Sequence, residues 1–285
     1  MELFGISSAV SRVYSQASST DSVRVHSTAN HSPIPILTYH HISHTPCRGS
    51  PYRELYVAPN DFARQMHLLR KLGYKGLSMS AIQPYLKGEK DGRVAGITFD
   101  DGYLNTFEHA LPVLSELGFS ATCYVVSSLV GRTNCWDESI GLSTVPLMNV
   151  RQLCEWAAAG QEVGAHTRHH VHLDKVDDTT ACAEIALSKS ELEQTMQAPV
   201  QHFCYPYGAF RQQHMVMTRE AGFVTATTTH RGRCHAGKNM MALPRVSVSG
   251  GSGIAAFLFK LLTPIENRPY APARLRRLIY PVNNC

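Results

Sequence analysis

Extended and helical hydrophobic patterns alternate along most of this chain, and that alternation limits its fold more than any other feature. Residues 34–40 read as a strand. Asn60 or Asp61 can cap a helix whose Phe62, Met66, Leu69 and Leu72 share one face before Gly73 ends it. Residues 94–99 form a short apolar strand running into Asp100, and the helical stretch after it should be interrupted at Pro112 and end at Gly118. Residues 121–126 are the next strand. Asn149 caps a helix to Ala159 ahead of Gly160, residues 162–165 are extended, and Asp178 opens a long helix reaching Gln197. Short strands follow at 203–205, 223–227 and 242–246, with helices near 212–221 and 254–262. About seven βα units without an internal repeat predict an α/β fold, with a parallel barrel favoured over an open sheet. In such a fold, chemistry gathers at the C-terminal ends of the strands.

At 285 residues and 44% hydrophobic content the chain can bury a large core. Its net charge of +5 is scattered, which argues against a nucleic-acid partner and leaves a weak pull toward acidic glycans or membrane surfaces. The first part is Ser-rich and lacks the apolar core of a secretory signal, so residues 1–32 read as a disordered tail and the location as cytoplasmic. No run is long enough to span a membrane. Residues 33–262 then form the folded domain and 263–285 a basic extension, whose Arg274, Arg276 and Arg277 form either a solvated helix or a weak membrane contact. Eight cysteines without a CxxC pair suggest reduced thiols, Cys204 among them as an inert buried one. Fifteen histidines are many for this length and hint at metal or proton chemistry.

Three clusters sit at predicted strand ends. In Thr98-Phe99-Asp100-Asp101-Gly102 two adjacent carboxylates repel unless a cation or proton intervenes, so a metal on one would leave the other free as a base. Alone, such a run is more often a surface turn. His166 and His170, four apart, can face one ion if the backbone turns helically there; alone, they are as easily a solvated turn. Two imidazoles and a carboxylate match a catalytic zinc-type site with an open position. In Tyr205-Pro206-Tyr207-Gly208 the Tyr207 N–H could face a developing oxyanion in a groove wall, or the segment is a plain turn with packed aromatics. Trp136, in a long loop, is a candidate sugar platform, whereas Trp156, on a helix, is as readily core.

In their order and spacing, Asp100-Asp101, His166 with His170, and Tyr205-Pro206-Tyr207-Gly208 resemble the first three motifs of the NodB-type polysaccharide deacetylase family, a group of carbohydrate esterases. The opening Ile36-Leu37-Thr38-Tyr39-His40-His41 resembles the first strand of many members, and the likeness extends over residues 34–248. The resemblance implies a deformed (β/α)7 barrel, a divalent metal that is often zinc, with cobalt or nickel as alternatives, and removal of N- or O-acetyl groups from an amino sugar or glycan precursor. It also implies Asp100 as base acting on a metal-activated water, Asp101, His166 and His170 as ligands, and the Tyr207 amide as oxyanion donor beside Tyr205.

Two departures matter. Where members carry an Arg that orients the catalytic Asp, this chain has Cys204, and Arg231 or Arg245 would have to substitute. No Leu-x-His supplies the general acid near Leu243-Pro244-Arg245, which leaves His40, at a strand end, as the leading candidate. Two alternatives remain: a hydrolase of the same fold acting on a non-sugar amide, and a catalytically silent metal- or glycan-binding barrel.

Overall fold

In chain order the elements are β1 (Ile36–Tyr39), β2 (His41–Ile42), β3 (Tyr56–Val57), α1 (Pro59–Lys71), β4 (Lys75–Leu77), α2 (Met79–Leu86), β5 (Val94–Phe99) and α3 (Leu104–Leu117). They continue as β6 (Thr122–Val125), α4 (Val150–Ala158), β7 (Glu162–Ala165), α5 (Asp178–Met196), β8 (His202–Cys204), α6 (Gln212–Glu220), β9 (Thr225–Arg231), β10 (Leu243–Ser247) and α7 (Gly253–Leu262). The structure, a computed structural model, describes residues 32–140, 144–251 and 253–263. The N-terminal tail and basic extension expected from the sequence lie, save for Ser32 and Thr263, outside the described residues. No helix among the described residues is long and apolar enough to cross a membrane.

Every residue of β1, β5, β6 and β8 is buried, as strands covered on both faces must be. Seven parallel strands pair in the order β1-β10-β9-β8-β7-β6-β5, and β5 closes the ring on β1 from Ile36↔Gly96 to Tyr39↔Phe99. This is the deformed seven-stranded barrel that the sequence predicts. Outward-facing Leu37, Tyr39, Phe99 and Phe203 pack with Phe62, Met66 and Leu69 of α1 and Trp156 of α4 in the main core. Inward-facing Ile36, Tyr124, Cys204 and Leu243 form a second cluster with Met79, Ile82 and Leu86 of α2.

That second cluster explains why the barrel is open at one end only. Helix α2 begins against the N-terminal ends of the strands: Met79 N–H donates to Thr122 Oγ1 at 2.8 Å, Ser80 N–H to Glu162 Oε2 at 3.1 Å, and Ser80 Oγ lies 2.9 Å from His202 Nε2. His202 Nδ1 in turn meets Thr225 Oγ1 at 2.7 Å. Polar first residues of β6, β7, β8 and β9 thus knit onto α2, and the opposite end stays free for a site. Inside, Gly164 of β7 leaves room for the Tyr124 ring, since a Cβ there would stand 2.5 Å from its Cδ1.

Several expectations are corrected. Helix α1 starts at Pro59 after Ala58, which makes no side-chain cap, so neither Asn60 nor Asp61 caps it; Pro is well suited to a first helical position. Pro112 does not interrupt α3, because Ala110, Leu114 and Leu117 are buried around it and packing outweighs the lost hydrogen bond. Strands β8 and β9 run at 202–204 and 225–231 instead of 203–205 and 223–227. The expected caps at Asn149 and Gly118 are present, and α5 opens at Asp178 as expected, capped by Asp177 before it.

The knit end carries a pH signature. Burial raises the Glu162 carboxyl, but hydrogen bonds from His202, Ser80 and Thr122, with the His202 charge, outweigh it and hold it at about 2. A depressed pKa contributes stability above the unfolded carboxyl value and loses it as pH falls toward the folded one. Between pH 5 and pH 3, urea denaturation should show the wild type losing about 2 kcal/mol more than Glu162→Gln; parallel curves would contradict this.

Candidate active site

The open end of the barrel gathers its polar groups through a run of unusual backbone conformations. Asp100 continues β5, its N–H donating to Tyr39 O at 3.0 Å, so its side chain points into the mouth, where it is 2% exposed. Asp101 (φ 74°) and Gly102 (φ 78°) then both take the left-handed region, which aims the second carboxylate inward as well; Asp tolerates that region better than most residues. After β7, Thr167 (φ 61°) and His170 (φ 59°) also turn left-handed, and His170 N–H donates to Thr167 Oγ1 at 3.0 Å. The expected helical turn between the two histidines is therefore absent. A folded bend brings them together instead, held from outside by Glu184 of α5, which accepts from the Arg168 and His169 N–H groups at 2.9 and 2.8 Å.

Asp101 Oδ1 lies 3.3 Å from His166 Nε2 and 3.2 Å from His170 Nε2, and all three groups are buried. Their donor atoms fall within 4.8 Å of one another. His166 Nδ1 meets the Cys204 carbonyl at 2.8 Å; a carbonyl only accepts, so Nδ1 carries a proton and Nε2 is the atom turned to Asp101, as a donor to its carboxylate or, once deprotonated, as a ligand for a cation. His170 Nδ1 meets Tyr207 Oη at 3.0 Å. Burial raises the Asp101 carboxyl, yet the His170 charge and the hydrogen bonds from both rings hold it well below the usual range. Two imidazole nitrogens and an ionised carboxylate in this cluster suit a divalent cation. A second grouping, Asp100 with His166 and Cys204, is also close, but a guanidinium occupies the space a cation would need.

That guanidinium belongs to Arg245. From β10 it reaches Asp100 with a parallel fork, Nη1 to Oδ1 and Nη2 to Oδ2, both at 2.7 Å. Its remaining donors go to Thr228 O at 2.9 Å, Thr98 Oγ1 at 3.1 Å and Cys204 Sγ at 3.2 Å. Of the two arginines the sequence offered, Arg245 orients Asp100, while Arg231 lines the cavity. Cys204, at the position of the missing Arg, lies against the group that replaces it. Burial raises the Asp100 carboxyl, but the Arg245 charge and hydrogen bonds outweigh it and keep it below its ordinary value, so Asp100 is ionised at neutral pH.

The other expected residues divide. His40 ends β1 with Nε2 3.7 Å from Asp100 Oδ2 and its side chain 21% exposed. His41 is buried between the Tyr56 and Tyr103 rings, and burial pushes it down to about 3, so it stays neutral. Tyr207 (φ 59°) stands at the cavity edge; Gly208 and Ala209 N–H close its turn, which leaves the Tyr207 amide outside the turn's own bonding. Tyr205 does not enter the site. Alternation at the end of β8 points it outward, fully buried, with Oη donating to Met241 O at 3.1 Å. Trp156 is core, and Trp136 stacks on His170 with ring centroids 4.2 Å apart.

These groups surround a cavity of about 860 Å³. Its upper walls include Tyr52 from the β2–β3 loop and Tyr56 of β3, Trp136 and Asp137 from the β6–α4 loop, and Tyr207 stacked on His172 at 3.7 Å. Sequence reasoning missed the β2–β3 wall and Tyr103, whose hydroxyl hydrogen-bonds Asp101. The Tyr after Asp-Asp-Gly was the available signal.

Residues 87–226 match the polysaccharide deacetylase family. YxkH of Bacillus subtilis (strain 168), which carries the polysaccharide deacetylase name, is 28% identical over 226 residues, 79% of this chain and 74% of its own. A poly-β-1,6-N-acetyl-D-glucosamine N-deacetylase of Staphylococcus aureus (strain MRSA252) is 22% identical over 200 residues, 68% of each chain. Among solved structures, the Streptococcus pyogenes deacetylase PplD in complex with acetate superposes with a TM-score of 0.70 at 22% identity, covering 81% of this chain and 99% of its own. IcaB from Ammonifex degensii gives a TM-score of 0.64 at 22% identity, covering 79% and 94%. These two share the fold. With its strand-end carboxylates and histidines in the order of the family's motifs, the chain resembles the polysaccharide deacetylases, and residues 87–226 match that family directly.

Proposed function

We propose that the protein is a metal-dependent hydrolase that removes acetyl groups from the amino sugars of a β-linked N-acetylglucosamine polymer or precursor. The carrying observation is the pairing of two unlike carboxylates: Asp101, faced by two histidines, and Asp100, forked by Arg245. A binding module needs the first and has no use for the second. The donor set of Asp101, His166 and His170 fits zinc, with cobalt or nickel as alternatives of the same ligand preference. A cation bound there would polarise the acetyl carbonyl and make water a nucleophile near neutral pH.

The chain's own residues supply the rest. Asp100, ionised and buried, takes the proton of the attacking water, and the Arg245 fork keeps its oxygens in register with that water. The Tyr207 amide stabilises the negative charge that develops on the carbonyl oxygen. His40, beside Asp100 and open to the cavity, gives a proton to the leaving amine. Trp136, Tyr56 and Tyr207 offer flat faces to sugar rings.

Two variants test this division. Asp100→Asn should lower acetate release from an N-acetylglucosamine oligomer by about a hundredfold or more while its metal content stays at the wild-type level. Near wild-type turnover would remove Asp100 as the base. Arg245→Met strands a buried carboxylate and should cost about 3–5 kcal/mol in urea unfolding as well as activity. Unchanged stability would show that the fork is not the support described.

A further inference from the structure

We propose that the Thr38 hydroxyl is the hydrogen-bond partner of the scissile acetamido N–H, and that it biases the site toward N-acetyl over O-acetyl groups. The inference rests on the deacetylase reading above and adds to it the residue that recognises the amide of the acetamido group. Strand β1 alternates between two environments. Leu37 and Tyr39 lie in the outer core, whereas Ile36 packs inside the barrel with Tyr124 and Cys204. Thr38 shares the inner side, two residues before His40, and lines the active-site cavity while being only 6% exposed.

Its hydroxyl has no hydrogen-bond partner among the described residues. The contrast with its neighbours is sharp. Thr98, beside it in register on β5, donates to Leu37 O at 2.8 Å and accepts from Arg245 at 3.1 Å. Thr228 and Thr227 on β9 donate to Leu243 O at 3.3 Å and Phe203 O at 3.5 Å. A buried hydroxyl left unpaired costs stability, and in a cavity that accepts ligands the natural compensation is a group the ligand brings.

The strand order says which group that is. Around the ring, β1 lies opposite β7, with β5 and β6 between them on one side and β8, β9 and β10 on the other. His166 and His170 follow β7, and Tyr207 follows β8, so the carbonyl-binding groups face Thr38 and His40 across the mouth. In a trans secondary amide the C=O and N–H point in opposite directions. With the carbonyl toward the histidines and Tyr207, the N–H is directed at β1, where Thr38 Oγ1 can accept it. An ester places at the same point an oxygen with no proton to give and little power to accept one.

The test compares Thr38→Val and Thr38→Ser with the wild type on an N-acetylglucosamine oligomer and on p-nitrophenyl acetate, with thermal unfolding and bound metal measured on the same preparations. The Val variant should show an amide-to-ester ratio of kcat/KM lowered about tenfold, the weight of one neutral hydrogen bond. The Ser variant should restore the ratio. Because Val removes an unpaired hydroxyl without changing the shape, its Tm should not fall, and its metal content should equal that of the wild type. Amide and ester rates that drop together, a ratio that does not move, or a lowered Tm would each overturn the assignment. Wild-type protein that releases no acetate from the oligomer would overturn the deacetylase reading and Thr38 with it, whereas wild-type turnover with an unchanged ratio overturns Thr38 alone.

Discussion

Asp100 is an ionised carboxylate buried at the mouth of an apolar barrel, and such a group persists only if something equally charged is buried with it. Arg245 is that group, and its five donors are distributed among four partners on β5, β8 and β9. The fork therefore ties four strands of the ring, β10 included, at the level where the chemistry takes place. It also decides what else can sit there, since a guanidinium against Cys204 and Asp100 would confine any cation to the neighbouring cluster of Asp101, His166 and His170.

The two ends of the barrel solve opposite problems with similar residues. At the N-terminal end, Glu162, His202, Thr122 and Ser80 satisfy one another and close the ring around α2. At the C-terminal end, left-handed residues at Asp101, Gly102, Thr167, His170 and Tyr207 turn side chains inward that regular strands would have sent elsewhere. Closing one end with mutually satisfied polar groups leaves the other free to hold groups that a substrate completes.

Much of this was legible in the sequence, and the failures have physical reasons. The strand at 94–99 announces itself because a run buried on both faces is apolar throughout, and the two carboxylates after it stand out against that run. His166 and His170 stand out by spacing, although in place of a helical turn they are joined by a bend held by Thr167 within it and by Glu184 of α5 outside it. Strand β4 and helix α2 went unseen because three residues containing a Gly and eight containing Pro84 carry little periodic signal. Tyr205 was placed in the site by its neighbourhood to Tyr207, when a single step along a strand reverses the face. Which arginine meets Asp100 depends on the closure of β10 next to β1, a contact between residues 145 positions apart that no local pattern encodes.

The proposed chemistry requires Asp101, His166 and His170 together to hold one divalent cation. Elemental analysis of the full chain, dialysed against zinc and then against metal-free buffer, tests it most directly when the wild type is run beside His166→Ala and His170→Ala. Close to one zinc per wild-type chain and almost none in either variant is expected, with all three proteins folded. Equal zinc in the variants and the wild type, or none in the wild type, would contradict it.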